Sequence, residues 1–243
     1  MVLPIYDTDP LESDRISWVT YALIAINTLI FLLVFGTSLS YDMQWTSRFA
    51  LVPQTFWREF RFDAALASHL TLLSSLFFHH GWLHFASNML FLWVFGDNIE
   101  DAFGRVRYLI FYLLCGVSGG LAYAVQVPDS TMPLVGASSG IAGIVAAYAL
   151  LRPCAKIEVI VFVYPITIDA YIVIAAWLLF QVAHLLDHTQ GGSAWAAHVG
   201  GFLAGVVLTF VMRPPHLKLF ECTHPSATSD ARITAQTGTT RDS

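Results

Sequence analysis

Pro133-Leu134-Val135-Gly136-Ala137-Ser138-Ser139-Gly140-Ile141 is the stretch on which the reading of this chain turns. Gly136 permits a tight backbone turn without a Cβ clash. The apolar run that follows, from Ile141 to Leu151, predicts a helix opening at or near Ser138, a residue type suited to an N-cap. A hydroxyl would then stand beside the positive end of a helix, where free N–H groups point outward and can hold a developing oxyanion. Read alone, the same residues fit plain small-residue helix packing equally well. The rest of the chain has to decide.

Outward from this stretch the chain is apolar. Of its 243 residues 56% are hydrophobic and 12% charged, against roughly 25% charged in soluble domains. A soluble domain of this size could not hide so much apolar surface, so the composition is that of a polytopic membrane protein. The net charge of −5 is thinly spread and gives no nucleic-acid footprint, and no nucleic-acid partner is expected. Cys115, Cys154 and Cys222 are odd in number and scattered, so neither a disulfide framework nor a CxxC metal site is expected. Residues 1–17 are acidic and polar, without a basic n-region or a cleavage site; they read as a cytoplasmic tail and not as a signal peptide.

Six apolar segments follow. Residues 18–36 are long enough, at ~1.5 Å per residue, for a hydrocarbon core of ~30 Å. Residues 37–78 form a long connection in which Trp45, Trp57, Arg48, Arg58 and Arg61 suit a membrane interface. Further spans are expected over 81–96, 107–127, 138–151, about 169–186 and 193–212. Residues 157–168 are read as an interfacial segment ahead of the fifth. The polar, Ser/Thr-rich residues 213–243 are expected to be disordered. Six spans put both termini on one side. That side collects Arg15, Arg105, Arg107, Arg152, Lys156, Arg213 and Lys218, against Arg48, Arg58 and Arg61 opposite, which makes the termini cytoplasmic.

This topology brings polar residues to one depth. Spans two, four and six all run from outside to inside, so His84 and Asn88, Ser138, and His198 lie just below the outer surface. Ionisable and polar groups in a bilayer are costly and mark sites. Small residues spaced by four (Ser138, Ala142 and Ala146 on span four; Gly201 and Gly205, which share a face with His198, on span six) let two membrane helices approach closely. His198 then comes within reach of Ser138 as general base to nucleophile. Asp187, the nearest carboxylate, falls outside the span, so a Ser–His dyad is expected. His84 and Asn88 share a helix face at i, i+4 and are expected, with the Ser138 backbone N–H, to stabilise an oxyanion.

Plainer roles stand beside these. His79 and His80 suit the headgroup boundary, and His84 with Asn88 could be interhelical glue worth ~0.6 kcal/mol each. His79, His80 and His84 could ligate a metal, but there is no HExxH and no acidic ligand nearby on span two, so no metal or other cofactor is expected. His184 and His188 read as a helix-end face, His216, Cys222 and His224 as parts of the tail. Trp93, Trp177 and Phe180 read as packing, and Glu100 and Asp101 as serving the inner end of span two.

Taken together, His84-Phe85-Ala86-Ser87-Asn88 (HxxxN), Gly136-Ala137-Ser138 (GxS), Ala197-His198-Val199-Gly200-Gly201 (AHxxG) and the stretch Phe78 to His84 resemble the rhomboid family of intramembrane serine proteases, over about residues 18–212. The resemblance implies a six-helix core and a Ser–His dyad, with Ser138 as nucleophile, His198 as base, and His84 and Asn88 as oxyanion stabilisers. It also implies single transmembrane helices as substrates, entering laterally near spans two and five. The chain departs from the family pattern in places. Ser139 stands where the family has a glycine after the nucleophile, so two registers are open, with Ser138 preferred over Ser139. Ala142 replaces a common aromatic, leaving open what packs on the His198 ring. Leu70-Thr71 stands where relatives often carry Trp-Arg.

The expectation is therefore an all-α membrane protein, a six-transmembrane-helix rhomboid-like bundle over 18–212, between a tail at 1–17 and another at 213–243. It would cleave single-pass transmembrane substrates near the outer face through an acyl-enzyme, embedded in lipid. A compact six-span form without an organellar address suggests a bacterial plasma membrane. Three other readings compete. Gly136-Ala137-Ser138-Ser139-Gly140 also fits the G-x-S-x-G of α/β-hydrolases, but that motif needs a soluble strand-turn-helix setting. A non-catalytic binder of the same fold would lack the serine or the histidine. A transporter would spread its polar groups along a path.

Overall fold

The computed structural model describes residues 2–7, 16–35, 45, 48–61, 66–161, 164–187, 194–220 and 222. Among them are eight α-helices: α1 (Trp18–Phe35), α2 (Pro53–Arg61), α3 (Leu66–Ser74), α4 (Trp82–Phe103), α5 (Arg105–Gln126), α6 (Ser138–Leu151), α7 (Ala170–Leu186) and α8 (Trp195–Met212). Three strands, β1 (Val2–Asp7), β2 (Lys156–Val161) and β3 (Tyr164–Asp169), and a 3₁₀ turn (Ser75–Phe77) complete the described elements. By length and composition α5 and α8 are sufficient to cross a membrane, while α1, α6 and α7 are shorter apolar helices.

The bundle is built around α6, which is buried along most of its length and packs against α4, α5 and α8. Small residues make this possible, because a bulky side chain would hold two backbones apart. A Cβ on Gly201 would lie 2.1 Å from the Ser139 carbonyl oxygen, and one on Gly205 would lie 2.6 Å from Gly143 Cα. The close face of α6 is therefore Ser139, Gly143 and Ala146, one residue round from the Ser138–Ala142–Ala146 row expected from spacing.

The long first connection contains the short helices α2 and α3 and a 3₁₀ turn, Ser75–Phe77. It is tied to the segment leading into α6. Leu51 and Leu134 exchange both backbone hydrogen bonds, and Gly136 N–H donates to Ser75 C=O at 2.9 Å. The Trp57 indole donates to the Ala124 carbonyl near the end of α5, at 2.7 Å.

Three expectations are corrected at the other end of α6. The fold is mostly helical and not all-α: β1, β2 and β3 form an antiparallel sheet in that order. The segment ahead of the fifth expected span is the β2–β3 hairpin, because Ile157, Val159, Ile160 and Val161 favour a strand and Pro165 cannot sit in a helix interior. Part of the expected N-terminal tail is β1, with Pro4 tolerated because β1 is an edge strand. Asp7 at its end is buried and accepts hydrogen bonds from the Asn98 amide and the Tyr148 hydroxyl, each at 2.7 Å. Glu100, expected to serve the inner end of the second span, serves the start of α1 instead. Its carboxylate accepts the N–H groups of Val19 and Thr20 at 3.0 and 2.7 Å, where the positive end of α1 favours an anion.

The cysteines are also corrected. Cys154 and Cys222 form a disulfide, their Cα atoms 5.1 Å apart, while Cys115 is free and buried. The chain after α8 folds back beneath α6, with Phe220 N–H donating to Leu150 C=O at 2.7 Å; this brings two cysteines distant in sequence together. The expected disorder of 213–243 does not hold for 213–220, and residues 223–243 lie outside the described residues.

Candidate active site

Ser138 is the first residue of α6. Its hydroxyl does not cap the helix, as its residue type suggested, but lies 2.8 Å from Nε2 of His198. His198 sits in the first turn of α8, so two helix N-termini converge here. The ring's other nitrogen, Nδ1, lies 2.8 Å from Oε1 of Gln181 on α7. Trp195 meets the imidazole edge-on and Trp177 at a tilt, both with centroids 6.2 Å away. These indoles stand beside the ring that Ala142 leaves uncovered, and Trp177 packs, as expected, against Phe202 as well as His198. Ser139 is buried and turned away, its hydroxyl donating to the Gly116 carbonyl at 3.3 Å. Of the two serines, Ser138 faces the histidine.

Gly136 has φ of +127°, a conformation that favours glycine. A Cβ there would lie 2.7 Å from Nε2 of His84 and 3.5 Å from the Ser138 hydroxyl. The imidazole of His84 thus stacks against the turn that delivers Ser138, and only a glycine leaves room for it. Asn88 is buried one turn further along α4, and its amide donates to the His84 carbonyl at 2.8 Å. That bond occupies one of its two amide hydrogens. The N–H groups of Ser138, Ser139 and Gly140 precede the first helical bond of α6, which Ile141 N–H makes to Ala137 C=O at 3.0 Å.

The histidines ahead of α4 divide. His80 is exposed. His79 is buried, with neither ring nitrogen bonded among the described residues, and packs against His84 and Phe85 at centroid distances of 5.2 and 5.5 Å. Burial first, then repulsion from His84 and His80, pushes its pKa down to about 3, so it is a neutral ring and not a headgroup-facing cation. His184 lies near the end of α7, its Nδ1 3.0 Å from the Phe180 carbonyl. His188 and His224 lie outside the described residues.

Sequence reasoning missed Gln181. The signal was present: it is the one side-chain amide in the apolar α7, and a polar group inside a membrane segment calls for a partner.

A family profile described as Rhomboid domain matches residues 66–215. The chain is 26% identical over 192 residues to Rhomboid protein 1, mitochondrial, of Saccharomyces cerevisiae, which covers 77% of this chain and 51% of that protein. It is 30% identical over 143 residues to the presenilin-associated rhomboid-like protein, mitochondrial, of Homo sapiens, covering 56% of this chain and 36% of that one. Over 80 residues, 33% of this chain and 6% of the other, it is 39% identical to Inactive rhomboid protein 1 of Drosophila melanogaster. The chain spans about half the length, or less, of these relatives. Two of them are named mitochondrial, which lends no support to the expected bacterial membrane.

Proposed function

Because this chain belongs to the rhomboid family of membrane proteins, we propose that it is an intramembrane serine endopeptidase acting on single-pass transmembrane substrates. The observation that carries this reading is the 2.8 Å pairing of the Ser138 hydroxyl with Nε2 of His198 at two converging helix N-termini. In this reading α1, α4, α5, α6, α7 and α8 are the six spans, and both termini lie on the face away from Ser138.

The chemistry follows from the groups in place. Nε2 of His198 takes the hydroxyl proton as the Ser138 oxygen attacks the scissile carbonyl. The oxyanion that forms is held by the Ser138 N–H, the remaining Asn88 amide hydrogen and His84, each such donor worth about 10²–10³ in rate. His198 gives the proton to the departing amine, leaving an acyl-enzyme, and water hydrolyses this ester with His198 again as base. Water reaches the serine because the site lies at helix ends and not at mid-bundle. A substrate helix hides its carbonyls in its own hydrogen bonds, so helix-breaking residues near the scissile bond favour cleavage. Such a relative as the one named inactive keeps the fold open to a purely binding role; the presence of both Ser138 and His198 favours catalysis here.

The test is cleavage of a reporter carrying one transmembrane helix, in proteoliposomes. Wild type and Ser139→Ala are expected to cleave it, Ser138→Ala and His198→Ala to lose at least about 10³-fold. Equal residual cleavage in all four proteins would overturn the reading.

A further inference from the structure

We propose that Gln181 is a positioning residue that fixes the tautomer of His198, making the base of the site a three-membered array in place of a dyad. The proposal rests on the serine-protease reading above and extends it.

A neutral imidazole has two tautomers, and only one can act here. Nε2 faces the Ser138 hydroxyl at 2.8 Å, so it can take a proton only if its own proton is on Nδ1. Oε1 of Gln181 lies 2.8 Å from Nδ1. A carbonyl oxygen accepts and never donates, and this contact therefore favours the Nδ1–H form and leaves the Nε2 lone pair for Ser138. Gln181 is itself buried, at 4% exposure, so water has little access to its carbonyl oxygen. The indoles of Trp177 and Trp195 bound the ring's sideways swing, but each sits with its centroid 6.2 Å away and offers Nδ1 no acceptor. Ala142 on α6 supplies neither a stacked ring nor an acceptor. Gln181 is thus the group that sets both the orientation and the protonation site of His198.

The choice of an amide follows from the setting. A carboxylate in this place would have to be desolvated as an ion, which is costly away from water. A glutamine gives the same acceptor geometry while neutral. Trp177 and Gln181 are four residues apart, on one face of α7, and the buried residues of α7 are Ala170, Ile174 and Gln181. The Gln181–His198 hydrogen bond adds a polar link to the apolar contacts by which Ile174, Trp177 and Leu178 fasten this helix to the bundle. Displacing α7 from α8 would take the acceptor from the base.

The test joins nitrogen NMR of ¹⁵N-histidine-labelled protein with steady-state cleavage of the helical reporter. Wild-type His198 is expected in the Nδ1–H form; finding it in the Nε2–H form would overturn the proposal directly. Gln181→Met keeps volume and removes the acceptor. It is expected to give mixed tautomers and a kcat lower by about 10- to 100-fold at unchanged KM. Gln181→Glu keeps an acceptor oxygen whether or not it is ionised, and is expected to regain the single tautomer and most of kcat. A single Nδ1–H tautomer with wild-type kcat in Gln181→Met, or a folded Gln181→Glu that regains neither, would overturn it. If the wild type itself cleaves nothing, the proteolytic reading fails. The tautomer signal, which needs no turnover, still decides for or against Gln181.

Discussion

At the scale of single residues, the site is set by where neutral polar groups sit in an apolar bundle. Ser138, His198 and His84 were legible because each lies in the first turn of a helix that otherwise reads as apolar, and such placements are costly unless used. Asn88 was legible in position but not in rotamer, since its bond to the His84 carbonyl depends on side-chain torsions no spacing reveals. Gln181 stood out as a lone amide in an apolar helix, but its partner did not, being 17 residues away on another helix with no local motif to link them. His79 gives a prediction with a definite sign. Its pKa falls from the ordinary 6.5 to about 3 in the folded protein, so between these values the unfolded chain binds more protons than the folded one. The stability owed to keeping His79 neutral is fully present above pH 6.5 and is lost as pH falls toward 3. Thermal unfolding in detergent should show the wild type losing on the order of a few kcal/mol between pH 7 and pH 4 relative to His79→Phe. Parallel pH profiles for the two proteins would refute the assignment.

At the scale of elements, the approach of α6 and α8 brings the His198 ring to the Ser138 hydroxyl. Gly201→Ala would put a Cβ 2.1 Å from the Ser139 carbonyl oxygen, a backbone atom that cannot step aside. The variant should lose about 1–3 kcal/mol of stability, and reporter cleavage with it. Gly81→Ala, where nothing lies within 4 Å of the added Cβ, should melt like the wild type; equal melting of both variants would contradict this packing. The apolar helices α1 and α4 to α8 were readable from long apolar runs and from glycines spaced by four, whereas α2 and α3 lie in what reads as a connection. The β2–β3 hairpin was not, because a short apolar run with β-branched residues looks alike to hydropathy whether strand or membrane segment. β1 was less readable still: Val2 pairs with Val161, a contact between distant parts of the chain.

At the scale of the whole molecule, the two ends of the bundle do different work. One end holds Ser138, His198 and His84, with α2 and α3 packed against α5. The other is closed by the sheet, by the buried Asp7, and by the disulfide between Cys154 and Cys222. The disulfide joins the chain beyond α6 to the chain beyond α8, the two helices that carry Ser138 and His198. In oxidised protein, its reduction or a Cys154→Ser change should cost about 2–4 kcal/mol of stability. Reporter cleavage at a temperature well below the melt should be unaffected, since the bond lies a full length of α6, roughly 20 Å, from Ser138. A fall in cleavage without a fall in melting temperature would contradict this separation of roles.

The central claim, that Ser138 is a nucleophile activated by His198, is tested most directly by labelling the protein in detergent with a fluorophosphonate and locating the adduct by mass spectrometry. The account predicts a single modified peptide carrying the phosphonyl group on Ser138, absent from Ser138→Ala and His198→Ala and retained in Ser139→Ala. An adduct on Ser139, or a folded wild type that takes up no probe, would contradict it.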